Sequence, residues 1–254
     1  MNPLALHHLD GHMVVRIVPV SQAMGSLASI ERCLDARDRE RAARFRFRED
    51  RARFILGRGL VRTHLGSCFL QPPETIELAY TDRDRPFFHR DETVHFSISH
   101  THDLVALALT RGARIGVDLE HLRPPADLPE LAKRILSADD LRLFQALPQS
   151  EISPAFFRVW TRKEAYLKAR GEGITQGLRQ FSVSLGPEEI SGVQDHREKT
   201  PTPAWRLHNL PVPADYMGSV ACDDPSRPLD FSFVELQADG DFQQIAAPAK
   251  SLLH

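Results

Sequence analysis

The alternation of apolar and polar residues predicts a series of strands. Residues 12–18, His-Met-Val-Val-Arg-Ile-Val, predict an opening strand that Pro19 ends. Residues 94–99 and 114–120 alternate with the period-two pattern of a strand that has one buried face. Residues 104–109 are almost wholly apolar, which is typical of a strand buried on both faces. The short connections between the last three segments predict an antiparallel meander.

Longer segments predict two principal helices and a second sheet. Residues 37–62 are helical in composition and contain ten arginines against four acids. Residues 152–169 form the longest predicted helix, which ends at Gly171 just after a basic last turn. The Pro- and Thr-rich residues 199–203 predict a loop. The strands of the second sheet are predicted at 181–185, 205–208, 216–222 and 229–236.

A short internal echo suggests a repeated architecture. Residues 95–99 are His-Phe-Ser-Ile-Ser, and residues 180–184 are Gln-Phe-Ser-Val-Ser. Each segment follows a helical region and precedes further apolar strands. The sequence therefore predicts an α+β fold of two similar halves, each a small antiparallel sheet packed with helices. Residues 1–112 form one predicted half and residues 113–254 the other. Ligands often bind where two such halves meet.

Composition narrows the class of protein. The 254 residues are 42% hydrophobic and 26% charged, which is ordinary for a globular protein. The net charge of −2 gives no general attraction to nucleic acid or anionic membranes, and no apolar stretch approaches the roughly 20 residues of a membrane span. Three widely spaced cysteines favour a reducing compartment over a disulfide framework or a zinc site. We therefore expect a cytoplasmic protein.

Asp118 and Glu120 are candidate ligands for a hard cation. In a strand the two side chains project from the same face, roughly 6–7 Å apart along the chain. Gly116 lies beside them and would let another group approach closely. The simpler alternative is two solvent-facing acids on an edge strand.

The longest predicted helix adds a third carboxylate. Phe156, Trp160, Glu164 and Lys168 form one stripe at a spacing of four residues, and this stripe changes from apolar to charged midway. A glutamate on a buried face is costly unless it is paired or bound to a metal. Lys168, one turn on, is the alternative partner for Glu164. Three carboxylates with basic neighbours fit magnesium better than zinc.

The arginine-rich region and the end of one strand are candidates for anion binding. As a cluster, the arginines of 37–62 favour an anion site, although a solvated helix face stays open for any single arginine. Ser99 and His100 end the strand at 94–99, where they suit hydrogen bonding to a phosphate. The chain contains no P-loop, no Gly-x-Gly-x-x-Gly turn and no Gly-x-Ser-x-Gly elbow.

Two segments resemble the signature motifs of a known enzyme family. Gly-Val-Asp-Leu-Glu at 116–120 and Trp-Thr-Arg-Lys-Glu-Ala-Tyr-Leu-Lys at 160–168 look like the paired motifs of the 4'-phosphopantetheinyl transferases, in the Sfp-type branch. The arginine-rich region resembles the family's N-terminal helical region, Arg85-Pro86 its Gly-Lys-Pro-type loop, and residues 96–100 its Asn-Ile-Ser-His strand. The resemblance extends in order over roughly residues 38 to 185.

The resemblance implies a fold and a reaction. The family's fold is a pseudo-dimer of two α+β halves in one chain, with coenzyme A and the active site between them. Its enzymes move the 4'-phosphopantetheine arm of coenzyme A, the co-substrate, onto a serine of an apo acyl or peptidyl carrier protein, and they release 3',5'-ADP. The first half would bind coenzyme A and the second would carry the metal-binding motifs. The expected protein is a monomer that binds neither nucleic acid nor membrane.

Carried over by position, the resemblance assigns roles to individual residues. Magnesium, with manganese able to substitute, would be held by Asp118, Glu120 and Glu164. Glu164 would also be the candidate base for the serine hydroxyl. Lys168 would steady the pyrophosphate charge or protonate the leaving group. The phosphates and adenylate of coenzyme A would be bound by Arg41, Arg53, Arg85, Ser99 and His100.

Two positions depart from the family pattern, and two other functions stay open. Asp38 and Phe54 stand where some members carry a basic or hydroxyl residue that contacts a phosphate, so the 3'-phosphate contacts are the least defined. One alternative is a magnesium-dependent hydrolase of nucleotide pyrophosphates. The other is a non-enzymatic basic module that binds RNA or acidic protein through residues 37–62. The slightly negative net charge and the lack of an aromatic stacking platform disfavour this module.

Overall fold

The computed structural model describes residues 6–172, 177–197 and 205–246. The chain divides into two compact units. The first comprises Met1–Ala113 together with Pro228–His254, and the second comprises Arg114–Arg227. The first unit is therefore discontinuous in sequence. Its second segment, Pro228–His254, lies within residues 113–254, which the sequence analysis assigned to the second half.

The described residues form the following elements. The α-helices are α1 (Leu6–Gly11), α2 (Val20–Ala23), α3 (Leu27–Glu31), α4 (Ala36–Ala43), α5 (Arg48–Phe69), α6 (Leu128–Ile135), α7 (Ala138–Gln145) and α8 (Gln149–Arg170). The strands are β1 (Met13–Pro19), β2 (Ala79–Tyr80), β3 (Pro86–Phe87), β4 (Val94–Thr101), β5 (Leu104–Arg111), β6 (Ile115–His121), β7 (Phe181–Val183), β8 (Ile190–Asp195), β9 (Arg206–Asn209), β10 (Tyr216–Cys222), β11 (Leu229–Leu236) and β12 (Phe242–Ile245). Two short 3-10 helices cover Pro73–Thr75 and Leu178–Gln180.

A five-stranded sheet forms the centre of the first unit, in the order β12-β11-β1-β5-β4. Neighbouring strands are antiparallel except β1 and β11, which run parallel with Met13 opposite Leu229. The sheet is therefore mixed, where the sequence predicted an antiparallel one. The 22-residue helix α5 packs against β4 and β5, and its Leu56 and Leu60 are fully buried. Apolar burial of this kind is the main favourable contribution to the stability of the unit.

A second five-stranded sheet, in the order β6-β10-β9-β8-β7, organises the second unit. All of its neighbouring pairs are antiparallel. The 22-residue helix α8 packs across β6 and β10. It ends as predicted at Gly171, whose left-handed φ of 72° lets the chain turn away from the helix.

The two units share an arrangement. In each unit, the first strand of the five-stranded sheet that follows the 22-residue helix lies at the edge of that sheet. This strand is β4 in one unit and β7 in the other. The echo segments 95–99 and 180–184 coincide with these two edge strands. The predicted α+β fold of two similar halves, each a small sheet packed with helices, is confirmed.

Several predicted strand details differ from the structure. Strands β4 and β5 pair as predicted, but β6 pairs with β10 in the second sheet, so the three-stranded meander is wrong. The predicted strand at 229–236 belongs to the first sheet, beside β1. Strand β8 was not predicted, because its side chains alternate only between exposed and half-buried positions and carry little apolar signal. The predicted loop at 199–203 lies outside the described residues.

None of the helices among the described residues is long and apolar enough to cross a bilayer. Cys33, Cys68 and Cys222 are free thiols, and Cys68 and Cys222 are buried.

The core of the first unit contains a buried histidine. His64 lies on α5 and is 1% exposed. Its Nδ1 lies 2.8 Å from the carbonyl oxygen of Leu60, and because a carbonyl only accepts, Nδ1 carries the proton. Burial, with a smaller effect of the Arg16 charge, lowers the pKa of His64 to about 4. The folded protein therefore keeps His64 neutral at pH values where the unfolded chain protonates it.

We predict that this histidine makes the fold acid-sensitive. The folded pKa is depressed, so stability is fully present above the unfolded value of 6.5 and is lost as the pH falls toward 4. Substituting His64→Gln should shrink the difference in unfolding free energy between pH 7.5 and 5.0 by about 2 kcal/mol. Denaturant titrations at the two pH values measure this difference. His89→Gln, at an exposed position, is the control and should leave it unchanged. Equal pH dependence in all three proteins would contradict the prediction.

Candidate active site

Strand β6 turns Gly116, Asp118 and Glu120 toward helix α8. A Cβ added at Gly116 would overlap the carbonyl oxygen of Ala165 and the backbone nitrogen of Ala169, and would lie 3.0 Å from the Ala169 Cα. Real Cβ atoms do not approach backbone this closely, so only glycine permits the contact. The close approach at Gly116 that the sequence suggested is therefore made by the backbone of α8.

This close approach sets α8 directly over the two acids of β6. Trp160 stacks on Phe156 with ring centroids 6.1 Å apart, and its Nε1 donates a hydrogen bond of 3.0 Å to Oε1 of Glu120. One residue on, the buried hydroxyls of Thr161 and Ser219 lie 3.0 Å apart and join α8 to β10. The predicted stripe of Phe156, Trp160, Glu164 and Lys168 is thus the face that α8 presents to β6.

The charged end of the stripe brings Lys168 to Asp118. Lys168 Nζ lies 2.7 Å from Oδ1 of Asp118. Glu164 is 4% exposed, and its Oε1 is buried with no hydrogen-bond partner among the described residues. The sequence offered Glu164 as the alternative partner of Lys168, whereas the structure shows a hydrogen bond from Lys168 to Asp118. A buried carboxylate oxygen without a donor is costly and calls for an explanation.

Burial and the neighbouring charge of Asp118 raise the proton affinity of both Glu164 and Glu120. Burial, followed by the charge of Asp118, raises the pKa of Glu164 to about 7, against a partly opposing effect of Lys168. Burial and the charge of Asp118 also raise the pKa of Glu120 to about 6, with the Trp160 hydrogen bond opposing the rise. The cluster therefore holds negative charge only at a cost, which a bound cation would offset.

The donor set fits a metal ion that is bound only in part by the protein. Among the residues described, no group of three or more His, Cys, Asp and Glu side chains is arranged to hold a metal ion. Magnesium, however, is commonly held by one or two carboxylates together with waters and substrate phosphates. Such an ion would compensate the buried Glu164 Oε1, which has no hydrogen-bond partner in the described part of the chain. It would also offset the cost of ionising Glu120 and Glu164, whose pKa values are raised.

Two of the predicted coenzyme residues meet at one turn of the first unit. Arg41 on α4 pairs with Asp84, which lies in the turn between β2 and β3. Arg85 is the next residue, and its Nη2 lies 3.5 Å from the carbonyl oxygen of Phe96 on β4. Burial lowers the pKa of Arg85, whose guanidinium is largely enclosed. The structure therefore places Arg41 and Arg85 at the same turn, with Arg85 also beside strand β4.

The other three predicted coenzyme residues lie near the end of β4. Ser99 is buried and His100 is exposed, as expected for successive residues of one strand. Arg53 on α5 donates a hydrogen bond of 2.6 Å to the carbonyl oxygen of His102 and pairs with Asp50. Arg53 thus braces the turn after β4, a role that the sequence did not suggest.

The departure at Asp38 has a structural explanation. Asp38 is 1% exposed and accepts a hydrogen bond of 2.8 Å from the Tyr80 hydroxyl. It also pairs with Arg58 at 3.3 Å and Arg62 at 3.2 Å, both on α5. Asp38 therefore ties α4 to α5 as a fully partnered buried acid. At Phe54, the guanidinium carbon of Arg58 lies 5.2 Å from the ring centroid, so this aromatic supports cations.

Two cations within the 160–168 motif were missed as positioning residues. Arg162 is 0% exposed and donates to the carbonyl oxygens of Ser184, Gly186 and Glu188. Lys163 is 1% exposed and donates to two further carbonyls, those of Leu178 and Phe181. Burial lowers the pKa of Arg162 to about 10 and that of Lys163 to about 8. Both side chains fix the segment after α8 to the helix. Their position inside the 160–168 motif is the sequence signal from which this role could have been predicted.

Comparison with protein families gives two adjoining matches. Residues 21–111 match the family described as 4'-phosphopantetheinyl transferase, N-terminal. Residues 114–221 match the 4'-phosphopantetheinyl transferase superfamily. The second match contains all of β6 and α8, and hence the three carboxylates and Lys168.

Similar proteins share the same name. The chain is 36% identical to 4'-phosphopantetheinyl transferase HetI of Nostoc sp. over 78% of its length and 81% of that protein. It is 27% identical to 4'-phosphopantetheinyl transferase Sfp of Bacillus subtilis over 78% of its length and 86% of the relative. Over 59% of its length and 63% of the relative, it is 33% identical to 4'-phosphopantetheinyl transferase psf-1 of Bacillus pumilus. The chain belongs to the 4'-phosphopantetheinyl transferase family, of the Sfp and HetI type.

The contact at Gly116 generates a test of how the site is positioned. Gly116→Ala should push α8 off β6 and destabilise the protein by about 1–3 kcal/mol, because the added Cβ meets backbone that cannot rotate away. Gly192→Ala is the matched control, since a Cβ on this β8 glycine would meet only the Trp205 carbonyl oxygen, 4.0 Å away. Thermal unfolding of both variants measures the effect. Equal melting temperatures for Gly116→Ala and wild type would contradict the close packing.

Proposed function

We propose that this chain transfers the 4'-phosphopantetheine arm from coenzyme A to a serine of an apo acyl or peptidyl carrier protein and releases 3',5'-ADP. The observation that carries the proposal is the packing of α8 on β6. This packing brings Glu164 and Lys168 of the helix together with Asp118 and Glu120 of the strand. The family membership supports the same reaction.

Glu164 is the group that takes the proton of the incoming serine. The serine Oγ forms a bond to the phosphorus that carries the pantetheine arm, and the bond from that phosphorus to the 3',5'-ADP oxygen breaks. The serine proton passes to Glu164, and 3',5'-ADP leaves with the electron pair. In the metal-free site the pKa of Glu164 is raised to about 7, so this carboxylate has a higher proton affinity than an ordinary glutamate.

Lys168 and the metal ligands neutralise charge around the pyrophosphate. Lys168 holds Asp118 in place through its 2.7 Å hydrogen bond. We assign it the role of steadying the pyrophosphate charge or of protonating the leaving group. Asp118, Glu120 and Glu164 are the residues that would hold magnesium, or manganese in its place. The ion would supply charge neutralisation and orientation at the pyrophosphate. Trp160 keeps the Glu120 carboxylate oriented for this role.

The coenzyme is bound in part by the first unit. We assign contacts with its phosphates and adenylate to Arg41, Arg53, Arg85, Ser99 and His100. Positioning and charge neutralisation account for most of the catalysis in phosphoryl transfer, so cations that fix the coenzyme contribute directly to rate. We place the reaction in the cytoplasm, with the enzyme acting as a monomer. The three free thiols are in keeping with a reducing compartment.

The decisive test is mass spectrometry of a panel of apo carrier proteins incubated with coenzyme A, magnesium and the enzyme. We expect at least one carrier to gain the mass of a single phosphopantetheine arm. Glu164→Gln should lower the rate at least about 100-fold, since it removes the base. Glu151→Gln removes an exposed acid from the first turn of the same helix and should transfer at the wild-type rate.

Two results would overturn the proposal. Full activity in two of the three variants Asp118→Ala, Glu120→Ala and Glu164→Ala would refute the site assignment. Phosphate release from coenzyme A without any carrier, and with no carrier modified, would favour a nucleotide pyrophosphate hydrolase.

A further inference from the structure

In the first unit a carboxylate fills a clamp of two arginines. Arg37 and Arg41 lie one turn apart on α4, and each pairs with a different oxygen of Asp84. Arg37 Nη2 lies 2.5 Å from Oδ1, and Arg41 Nη1 contacts Oδ2. Two guanidinium groups on two oxygens of one anion is the geometry in which arginines also bind phosphate.

An aromatic ring lies against the guanidinium group of each arginine. The guanidinium carbon of Arg37 lies 3.7 Å from the ring centroid of Tyr80. That of Arg41 lies 5.4 Å from the ring centroid of Phe54. Tyr80 is itself fixed by its hydrogen bond to the buried Asp38. The cations therefore have supports besides Asp84, and the clamp is expected to persist when Asp84 is removed.

The clamp opens into a cavity with a positive lining. Its volume is about 540 Å³, and it is lined by Arg37, Glu40, Arg41, Arg44, Phe45 and Asp84. Glu40 already pairs with Arg44 at 2.5 Å. Three arginines thus face two acids, and removing the charge of Asp84 would leave Arg37 and Arg41 as the uncompensated pair. The side chains of Arg37, Arg41 and Asp84 are 56%, 44% and 47% exposed, so a solute can reach them.

Asp84 reaches the clamp from a tight turn. Its φ is 59°, in the left-handed region that Asp and Asn tolerate better than most residues. Its backbone nitrogen donates to the Thr81 carbonyl oxygen at 2.9 Å, and the turn closes with Thr81 nitrogen 2.9 Å from the Arg85 carbonyl oxygen. The turn is held by its backbone, so the Asp84 side chain can leave the clamp at the cost of exposed ion pairs alone. Such pairs are weak.

We propose that the clamp of Arg37 and Arg41 is a phosphate-binding seat, and that the carboxylate of Asp84 competes with phosphate for it. A phosphate monoester of the coenzyme or of 3',5'-ADP binds this seat by displacing the Asp84 carboxylate. The identity of the ligand rests on the proposed function, whereas the displacement needs only a phosphate group. Asp84 carries one negative charge, so a dianionic phosphate displaces it more readily than a singly charged group does. Asp84 thereby favours phosphate monoesters over diesters and lowers the affinity for both.

The test is calorimetric binding of 3',5'-ADP to the full chain at low ionic strength. Asp84→Asn should bind about three- to tenfold more tightly than wild type, because it removes two exposed ion pairs that compete with the ligand. Asparagine accepts the same left-handed φ, so the turn is kept. Asp82→Asn changes the same charge at an exposed position of the same turn and should bind like wild type. Adenosine, which has no phosphate, should not distinguish the proteins.

A second variant separates competition from a general charge effect. Arg37→Gln in the Asp84→Asn background should lose most of the gain, because the seat then has one guanidinium. Binding by Asp84→Asn that is no tighter than wild type would overturn the inference, as would an equal gain in Asp82→Asn. If 3',5'-ADP binds as expected but no carrier is modified, the proposed function fails and the seat stands. If carriers are modified but Asp84→Asn binds 3',5'-ADP no more tightly than wild type, the competition by Asp84 is refuted and the proposed function stands.

Discussion

The candidate active site depends on one backbone contact, that between Gly116 of β6 and the Ala165–Ala169 turn of α8. No side chain fits between the strand and the helix at this point. The contact brings the helix close enough for Trp160 to reach Glu120 and for Lys168 to reach Asp118. It also encloses Glu164, which becomes a buried acid without a hydrogen bond to its Oε1 among the described residues. The chemistry we propose for Glu164 follows from this enclosure.

Two buried acids, Asp38 and Glu164, differ in their surroundings. Asp38 supports the fold, whereas Glu164 belongs to the proposed chemistry. Asp38 is buried with a tyrosine hydroxyl and two arginines, so its charge is compensated and it stabilises the first unit. For Glu164, burial and then the negative charge of Asp118 raise the pKa to about 7. Acids whose pKa is raised by burial and by a neighbouring like charge cluster at functional sites. The comparison explains why two acids in family motif regions have opposite roles.

Much of this architecture could be predicted from the sequence, because periodicity encodes it directly. The period of α8 placed Glu164 and Lys168 on one face, and the period of β6 placed Asp118 and Glu120 on one face. The pairing of β4 with β5 was predicted from their short connection, but the pairing of β6 with β10 was not, because backbone hydrogen bonds are the same for any sequence and about 95 residues separate these two strands. The sequence also hid the burial of Arg162 and Lys163, since cations are usually exposed and their carbonyl partners lie at least 15 residues away. The role of Gly116 depends on a helix about 50 residues later in the chain, so its neighbours in sequence could not reveal it.

The most direct test of the central claim is the number of protons released when magnesium binds. Calorimetric titration of magnesium into the enzyme with coenzyme A, at pH 6.5 in two buffers of different ionisation enthalpy, gives this number. Since Glu164 has a pKa of about 7 and Glu120 of about 6, both are partly protonated at this pH. Ligation requires deprotonated carboxylates, so we predict release of about one proton, reduced in Glu164→Gln. Magnesium binding without proton release, or with equal release in Glu164→Gln, would contradict the account.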